Sequence, residues 1–179
     1  SQKSFIGMHP VPIVHGMTIG EYAQMINGEK WLNNGIQCQL EVVKCSNYSH
    51  KDKYQLPIPP SPNLPNMTSI YLYPSLCLFE GTNVSVGRGT KTPFQIFGSP
   101  YIPQTDFSFT PQPTFGAKHP KHEGKICYGY DLTSFGNNFM PDLGELYLHW
   151  LTSMYHQSSD KANFFRKDGF FYLLTGNKK

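Results

Sequence analysis

The residues best equipped for chemistry lie in one short run, Glu80-Gly81-Thr82-Asn83-Val84-Ser85-Val86-Gly87-Arg88-Gly89-Thr90. It holds one carboxylate (Glu80), one amide (Asn83), three hydroxyls (Thr82, Ser85, Thr90) and one guanidinium (Arg88). Its glycines let the backbone turn sharply and approach a ligand closely. Amides and hydroxyls pair with sugar hydroxyls, and a guanidinium grips a carboxylate through two parallel hydrogen bonds. The set therefore suits a polyhydroxylated, partly anionic ligand. The same residue types also satisfy a loop's own backbone through Asx and ST turns, and composition does not choose between the two uses. The run is not a Walker loop, because the GK[ST] ending is missing, and no GxGxxG follows a strand.

Two further segments could present polar groups. Pro59-Pro60-Ser61-Pro62-Asn63-Leu64-Pro65-Asn66 is rigid enough to hold Ser61 and Asn63 at little entropic cost, or to be a plain connector. His15 stands just before a helix start, where its ring can donate to a ligand or simply pack. His119 and His122 form an HxxH in a lysine-rich loop, and Glu145, His149 and His156 share the polar face of a helix. Neither has HExxH spacing, so both read as solvated side chains, and no metal or cofactor is expected. No GxSxG elbow occurs and no cysteine has an activating neighbour in sequence. Glycoside hydrolysis in its usual form needs two carboxylates across a sugar. Glu21 is taken up by a helix cap, so Glu80 is the one candidate catalytic residue and a two-carboxylate site is incomplete.

The elements that must position these groups follow from local pattern. Ser4 to Val14 reads as an opening strand. Thr18 with Glu21 forms a capping box, and Ile19, Tyr22, Ala23 and Ile26 make a helical stripe that should end near Trp31 to Gly35. Gln37 to Cys45 reads as a strand. A loop from Asn47 to Asn66 follows, with five prolines between Tyr54 and Pro65. Thr68 to Phe79 reads as a helix bent at Pro74, with a strand pair as the alternative. Pro93 to Phe97 and Lys125 to Leu132 read as strands, separated by the proline-rich connector Pro100 to Pro120. Asp142 to His156 reads as one helix, on the stripe Leu143, Leu146, Tyr147, Trp150, Leu151 and Met154. Phe170 to Leu174 is a last apolar segment. The expected class is α+β: a small mixed sheet with flanking helices and long proline-rich loops, without regular βαβ alternation.

Bulk composition narrows the function classes. The 179 residues carry a net charge of +3, and Arg88 and Arg166 are the two arginines. Arginine is the usual residue for bidentate phosphate and guanine contacts, so a nucleic-acid groove is not expected. No stretch approaches the ~20 apolar residues of a membrane span. Cys38, Cys45, Cys77 and Cys127 show no CxxC spacing; a Cys38–Cys45 disulfide needs a bend, and buried free thiols are the simpler reading.

Taken jointly and in order, His15-Gly16-Met17-Thr18-Ile19-Gly20-Glu21, Pro59 to Pro65, Tyr73-Pro74, Glu80-Gly81-Thr82-Asn83, Gly87-Arg88-Gly89-Thr90 and Pro93-Phe94 resemble the NamZ-type exo-β-N-acetylmuramidases. This bacterial family was formerly a domain of unknown function, and the likeness runs from about Phe5 to Phe97 with a weaker continuation. It implies release of terminal N-acetylmuramic acid from the non-reducing ends of peptidoglycan fragments. It also implies a Rossmann-like N-terminal domain, a smaller C-terminal domain and a cleft between them, with the catalytic glutamate on the N-terminal side. On that resemblance residues 1–179 are the C-terminal domain, incomplete at both ends, of a protein whose N-terminal domain is absent here. The domain supplies a substrate-binding wall through His15, Ser61, Asn63, Glu80, Thr82, Asn83, Ser85, Arg88 and Thr90. The expected partners are peptidoglycan-derived glycans and the missing domain, and the expected compartment is periplasmic or secreted. Arg88 is expected to meet the lactyl carboxylate of N-acetylmuramic acid, or else Glu80. One face should expose apolar surface. The alternatives are a non-catalytic glycan-binding or scaffolding module and a metal-dependent enzyme using His119, His122 or His149.

Overall fold

The structure is a computed structural model that describes residues 3–4 and 6–177. Phe5, near the start of the family likeness, lies outside them. The chain forms two compact units, Met8–Tyr54 and Ser1–Gly7 with Gln55–Lys179. No helix among the described residues is long and apolar enough to cross a membrane.

In the Met8–Tyr54 unit, helix α1 (Ile19–Gly28) starts where the capping box places it. Glu21 N–H donates to Thr18 Oγ1 (3.2 Å) and Thr18 N–H to Glu21 Oε2 (2.8 Å), so two otherwise orphaned donors satisfy each other reciprocally. The helix stops at Gly28, short of the expected end, and a 3-10 turn occupies Asn33–Gly35. Neither strand expected in this region forms. The described part of Ser4–Val14 is bends and irregular chain, and Gln37–Cys45 is irregular chain without a ladder. Alternation alone cannot make a strand: each strand needs a partner for its N–H and C=O groups, and here those of Cys38 are taken by the Asn27 side chain (2.7 and 2.9 Å). None of residues 8–54 is buried; Ile19 and Val43 stand 90% and 88% exposed, so apolar surface is open on this unit. Cys38 and Cys45 are exposed free thiols here, not buried ones.

The second unit carries the core. Helix α2 (Met67–Leu76) is capped by Asn66, which exchanges bonds with Ser69, and tightens into a 3-10 turn over Cys77–Gly81. Pro74 lies inside α2, as expected. Three strands, β1 (Ile96–Ser99), β2 (Phe107–Phe109) and β3 (Cys127–Asp131), pair in the order β1-β3-β2, and both pairings are antiparallel, so the sheet is not the mixed one expected. β2 corrects the reading of Pro100 to Pro120 as pure connector: Phe107-Ser108-Phe109 alternates, but three residues between prolines are too short to stand out. Gly98 faces Gly129 across β1 and β3, and a Cβ on Gly129 would run into the Phe97 carbonyl oxygen. The strands meet this closely because both positions lack side chains.

Further helices among the described residues follow in the second unit. Beyond α1 and α2 come α3 (Thr133–Asn138), α4 (Met140–Leu143), α5 (His149–Gln157) and α6 (Phe170–Thr175). The single helix expected over Asp142 to His156 is thus two, because Gly144 adopts φ 66° and ends α4 in a left-handed cap. Leu72, Leu76, Phe79, Val84, Phe94, Phe97, Met154 and Phe164 close one core cluster. Each such side chain contributes about 1.5–3 kcal/mol on burial. Cys77 and Cys127 are buried free thiols within this unit.

Candidate functional site

Three backbone connections fix the Glu80 to Thr90 run. Ser85 exchanges hydrogen bonds with Gly98 (2.8 and 3.0 Å), which adds the run to the free edge of β1. Residues 164–166 lie antiparallel beside it, since Asn83 N–H donates to Phe164 O (2.7 Å) and Arg166 N–H to Gly81 O (3.0 Å). Gly89 O accepts from Gln112 N–H (2.8 Å). Gly87 holds φ 75°, and a Cβ there would meet Ile96 Cγ1 at 2.5 Å, so only glycine fits this turn. Phe94 is buried yet left-handed at φ 55°, a strained conformation for an aromatic residue; its N–H donates to Val86 O (2.7 Å) and its ring carries Arg88 at 5.1 Å.

Glu80, Ser85, Arg88, Lys121, Arg166 and Phe170, with Val84 and Val86, line a cavity of about 210 Å³. Arg88 Nη2 contacts Glu80 Oε1 at 2.7 Å, so of its two expected partners the structure pairs it with Glu80. Lys121 Nζ donates to the carbonyls of Phe79 (3.1 Å), Thr82 (2.5 Å) and Val84 (2.9 Å). Burial pushes the Lys121 ammonium down from 10.5 to about 8; Glu80 opposes that shift, while Arg166 and Arg88 add to it. Arg166 pairs with Asp168 and lies over the Phe170 ring at 4.7 Å.

The other expected site residues divide by what their polar atoms touch. Thr82 Oγ1 donates to Phe79 O (2.8 Å) and accepts from Val84 N–H (3.1 Å); Thr90 Oγ1 donates to Gly87 O (2.7 Å). These are ST turns that hold the loop's own backbone. Ser85 Oγ accepts from Gly87 N–H at 3.3 Å while its residue lines the cavity. The Asn83 side-chain amide is buried with no hydrogen-bond partner among the described residues, whereas the Asn83 backbone carbonyl accepts from His122 Nε2 (2.5 Å). Ser61 Oγ accepts from Asn63 N–H (3.2 Å), and Asn63 Nδ2 donates to Gly116 O (2.7 Å), so this pair pins a turn and does not line the cavity. His15 belongs to the Met8–Tyr54 unit; its Nδ1 accepts from Met17 N–H (3.0 Å) and its ring stacks on Tyr22 at 5.3 Å.

Sequence reasoning missed Lys121, Arg166 and Phe170. Lys121 lies inside the HxxH itself (His119-Pro120-Lys121-His122), in a loop whose lysines read as solvated, and its partners are carbonyls, which no sequence pattern displays. Arg166 had one available signal, the scarcity of arginine. Among the described residues no three His, Cys, Asp or Glu converge as a metal would require; His122 bonds the Asn83 carbonyl and His119 is exposed.

The family description "Exo-beta-N-acetylmuramidase NamZ, C-terminal" matches residues 71–179, and "Exo-beta-N-acetylmuramidase NamZ, N-terminal" matches residues 1–68. The chain is 41% identical over 144 residues to the peptidoglycan beta-N-acetylmuramidase NamZ of Bacillus subtilis (strain 168), covering 72% of this chain and 34% of that protein. A crystal structure of a DUF1343 family protein from Bacteroides fragilis NCTC 9343 superposes with TM-score 0.92 at 49% identity, covering 98% of this chain and 49% of that one. A second DUF1343 structure from the same organism shares the fold at TM-score 0.73 and 23% identity, over 98% of this chain and 50% of that one. The chain thus spans about a third of the length of its curated relative and half that of the solved ones. With the C-terminal description alone matching residues 71–179, the chain belongs to the NamZ exo-β-N-acetylmuramidase family.

Proposed function

We propose that the chain is part of a glycoside hydrolase that releases terminal N-acetylmuramic acid from the non-reducing end of peptidoglycan fragments, and that it supplies one substrate-binding wall of the cleft. The observation that carries this reading is the cavity beside the Glu80–Arg88 pair, in a chain whose Bacillus relative is a peptidoglycan beta-N-acetylmuramidase. The cavity offers charged groups, a hydroxyl-bearing residue (Ser85) and an aromatic face in one place, the mixture a charged amino sugar needs. Glu80 is the only carboxylate among the residues that line it. The usual chemistry sets two carboxyl groups about 5–10 Å apart across the glycosidic bond. The second group then comes from the rest of the whole protein, in a Rossmann-like N-terminal domain facing this wall. A protein acting on peptidoglycan works in the periplasm or outside the cell.

The lone carboxylate also favours a second reading, a glycan-binding module without catalysis. Hydrolysis of a chromogenic β-N-acetylmuramide separates the two, assayed with this chain, the full-length parent and the parent carrying Glu80→Gln. Activity confined to the parent supports a shared cleft. Activity in this chain alone puts the chemistry here, with Glu80 at its centre. Inactivity of both leaves the binding module.

A further inference from the structure

The charges around the cavity do not balance. Three cations, Arg88, Lys121 and Arg166, line it against one carboxylate, Glu80. They are near enough to act on one another, since Glu80, Arg166 and Arg88 all shift the Lys121 ammonium. The cations differ in how free they are. Lys121 directs its ammonium at three carbonyls, and an ammonium has three hydrogens to donate. Arg88 holds Glu80 through Nη2 at 2.7 Å. Arg166 is held by Asp168 through the same kind of nitrogen, yet its side chain is 47% exposed, and Asp168 is not among the lining residues. A guanidinium has five donors, and the single contact to Asp168 leaves a second edge for another acceptor. The Phe170 ring beneath it fixes the plane of the group, and Val84 and Val86 add apolar wall.

We propose that this cavity is a carboxylate-binding subsite in which Arg166 makes the direct contact. Phe170 and Asp168 orient Arg166, Lys121 supplies fixed positive charge behind it, and the Glu80–Arg88 pair forms the opposite wall. The apolar wall suits a carboxylate attached to a small branched carbon. On the reading proposed above, on which this inference rests, that ligand is the lactyl ether of N-acetylmuramic acid. Arg166, and not Arg88, is then the residue that separates N-acetylmuramic acid from N-acetylglucosamine.

The test is calorimetric titration of the chain with N-acetylmuramic acid, N-acetylglucosamine and free D-lactate, for the wild type, Arg166→Gln and Arg166→Lys. The wild type should prefer N-acetylmuramic acid over N-acetylglucosamine by about tenfold or more, on the scale of a charge-assisted pair. Arg166→Gln should erase that preference without changing affinity for N-acetylglucosamine, and Arg166→Lys should keep part of it. A preference that survives in a folded Arg166→Gln chain overturns the proposal, as does a wild type that does not discriminate. If Arg166→Gln does not fold, the NMR shift of wild-type Arg166 Nε–H on adding D-lactate decides: movement supports the subsite and none overturns it. Binding of D-lactate through Arg166 without binding of either sugar keeps the subsite and removes the peptidoglycan reading. Equal binding of both sugars does the reverse.

Discussion

Replacing Lys121 with Met takes the donor away from the carbonyls of Phe79, Thr82 and Val84 while keeping an unbranched chain of similar length. Hydrogen bonds to a charged group contribute about 1.5–3 kcal/mol each, so the gross loss is on the order of 4–9 kcal/mol. Opposing it is relief from burying the ammonium. A pKa lowered from 10.5 to about 8 corresponds to roughly 3 kcal/mol of disfavour for the charged form. The net expectation near neutral pH is a loss of about 1–6 kcal/mol. Linkage adds a signature that packing loss alone cannot mimic. The folded chain gives up the Lys121 proton at a lower pH than the unfolded chain, so from about pH 8 to 10.5 the unfolded chain binds more protons. Wild-type stability therefore rises across that window relative to Lys121→Met, which has nothing to titrate there. The buried thiols Cys77 and Cys127, raised to about 11 and about 12, destabilise the fold in alkali in both proteins and cancel in the difference. Urea unfolding of both proteins near pH 7 and near pH 10 measures the gap. It should widen with pH; a gap that stays constant or narrows refutes the reasoning.

Other perturbations follow from the same geometry. Gly129→Ala drives a Cβ against the Phe97 carbonyl and to 2.6 Å from Gly98 Cα, so it should cost about 3–4 kcal/mol in thermal unfolding followed by circular dichroism. Gly28→Ala, with nothing within 4 Å of its Cβ, should leave stability unchanged or gain up to about 1 kcal/mol. Asn63→Ala leaves the Gly116 carbonyl without its 2.7 Å donor and should cost about 1–2 kcal/mol in urea unfolding. Glu21, held by His50 and then by the Thr18 N–H, has its carboxyl lowered from 4.5 to about 2. Its capping contribution is present above the ordinary carboxylate value and is lost as pH falls through about 2; an NMR titration of Glu21 with a midpoint near 4.5 contradicts the cap.

What could be read in advance was what neighbours in sequence decide among themselves. The Thr18–Glu21 box set the start of α1, and the apolar run from Thr68 carried the helix reading, with a strand pair as the alternative, where α2 forms behind an Asn66 cap. The glycines around Arg88 marked a sharply turning loop, and Gly87 is left-handed at φ 75°. Gln37 to Cys45 shows the limit. Its alternation is real, yet among the described residues no partner strand pairs with it, so the pattern yields no strand. Gly144 divided a continuous apolar stripe into α4 and α5, because a left-handed glycine ends a helix whatever the periodicity beyond it.

The family likeness and the Glu80 to Thr90 run were thus legible from residue types and order alone. Which of those residues meet a cavity was decided by tertiary structure. Thr82 and Thr90 turned to their own backbone, while Glu80, Ser85 and Arg88 reached the opening. Lys121 and Arg166, each more than thirty residues away in sequence, arrived beside them because carbonyls of residues 79–84 needed a donor and residues 164–166 needed a strand to pair with. Backbone hydrogen-bond demand is the same at every residue and leaves no mark in the sequence, so only the folded chain shows which distant cations it gathers.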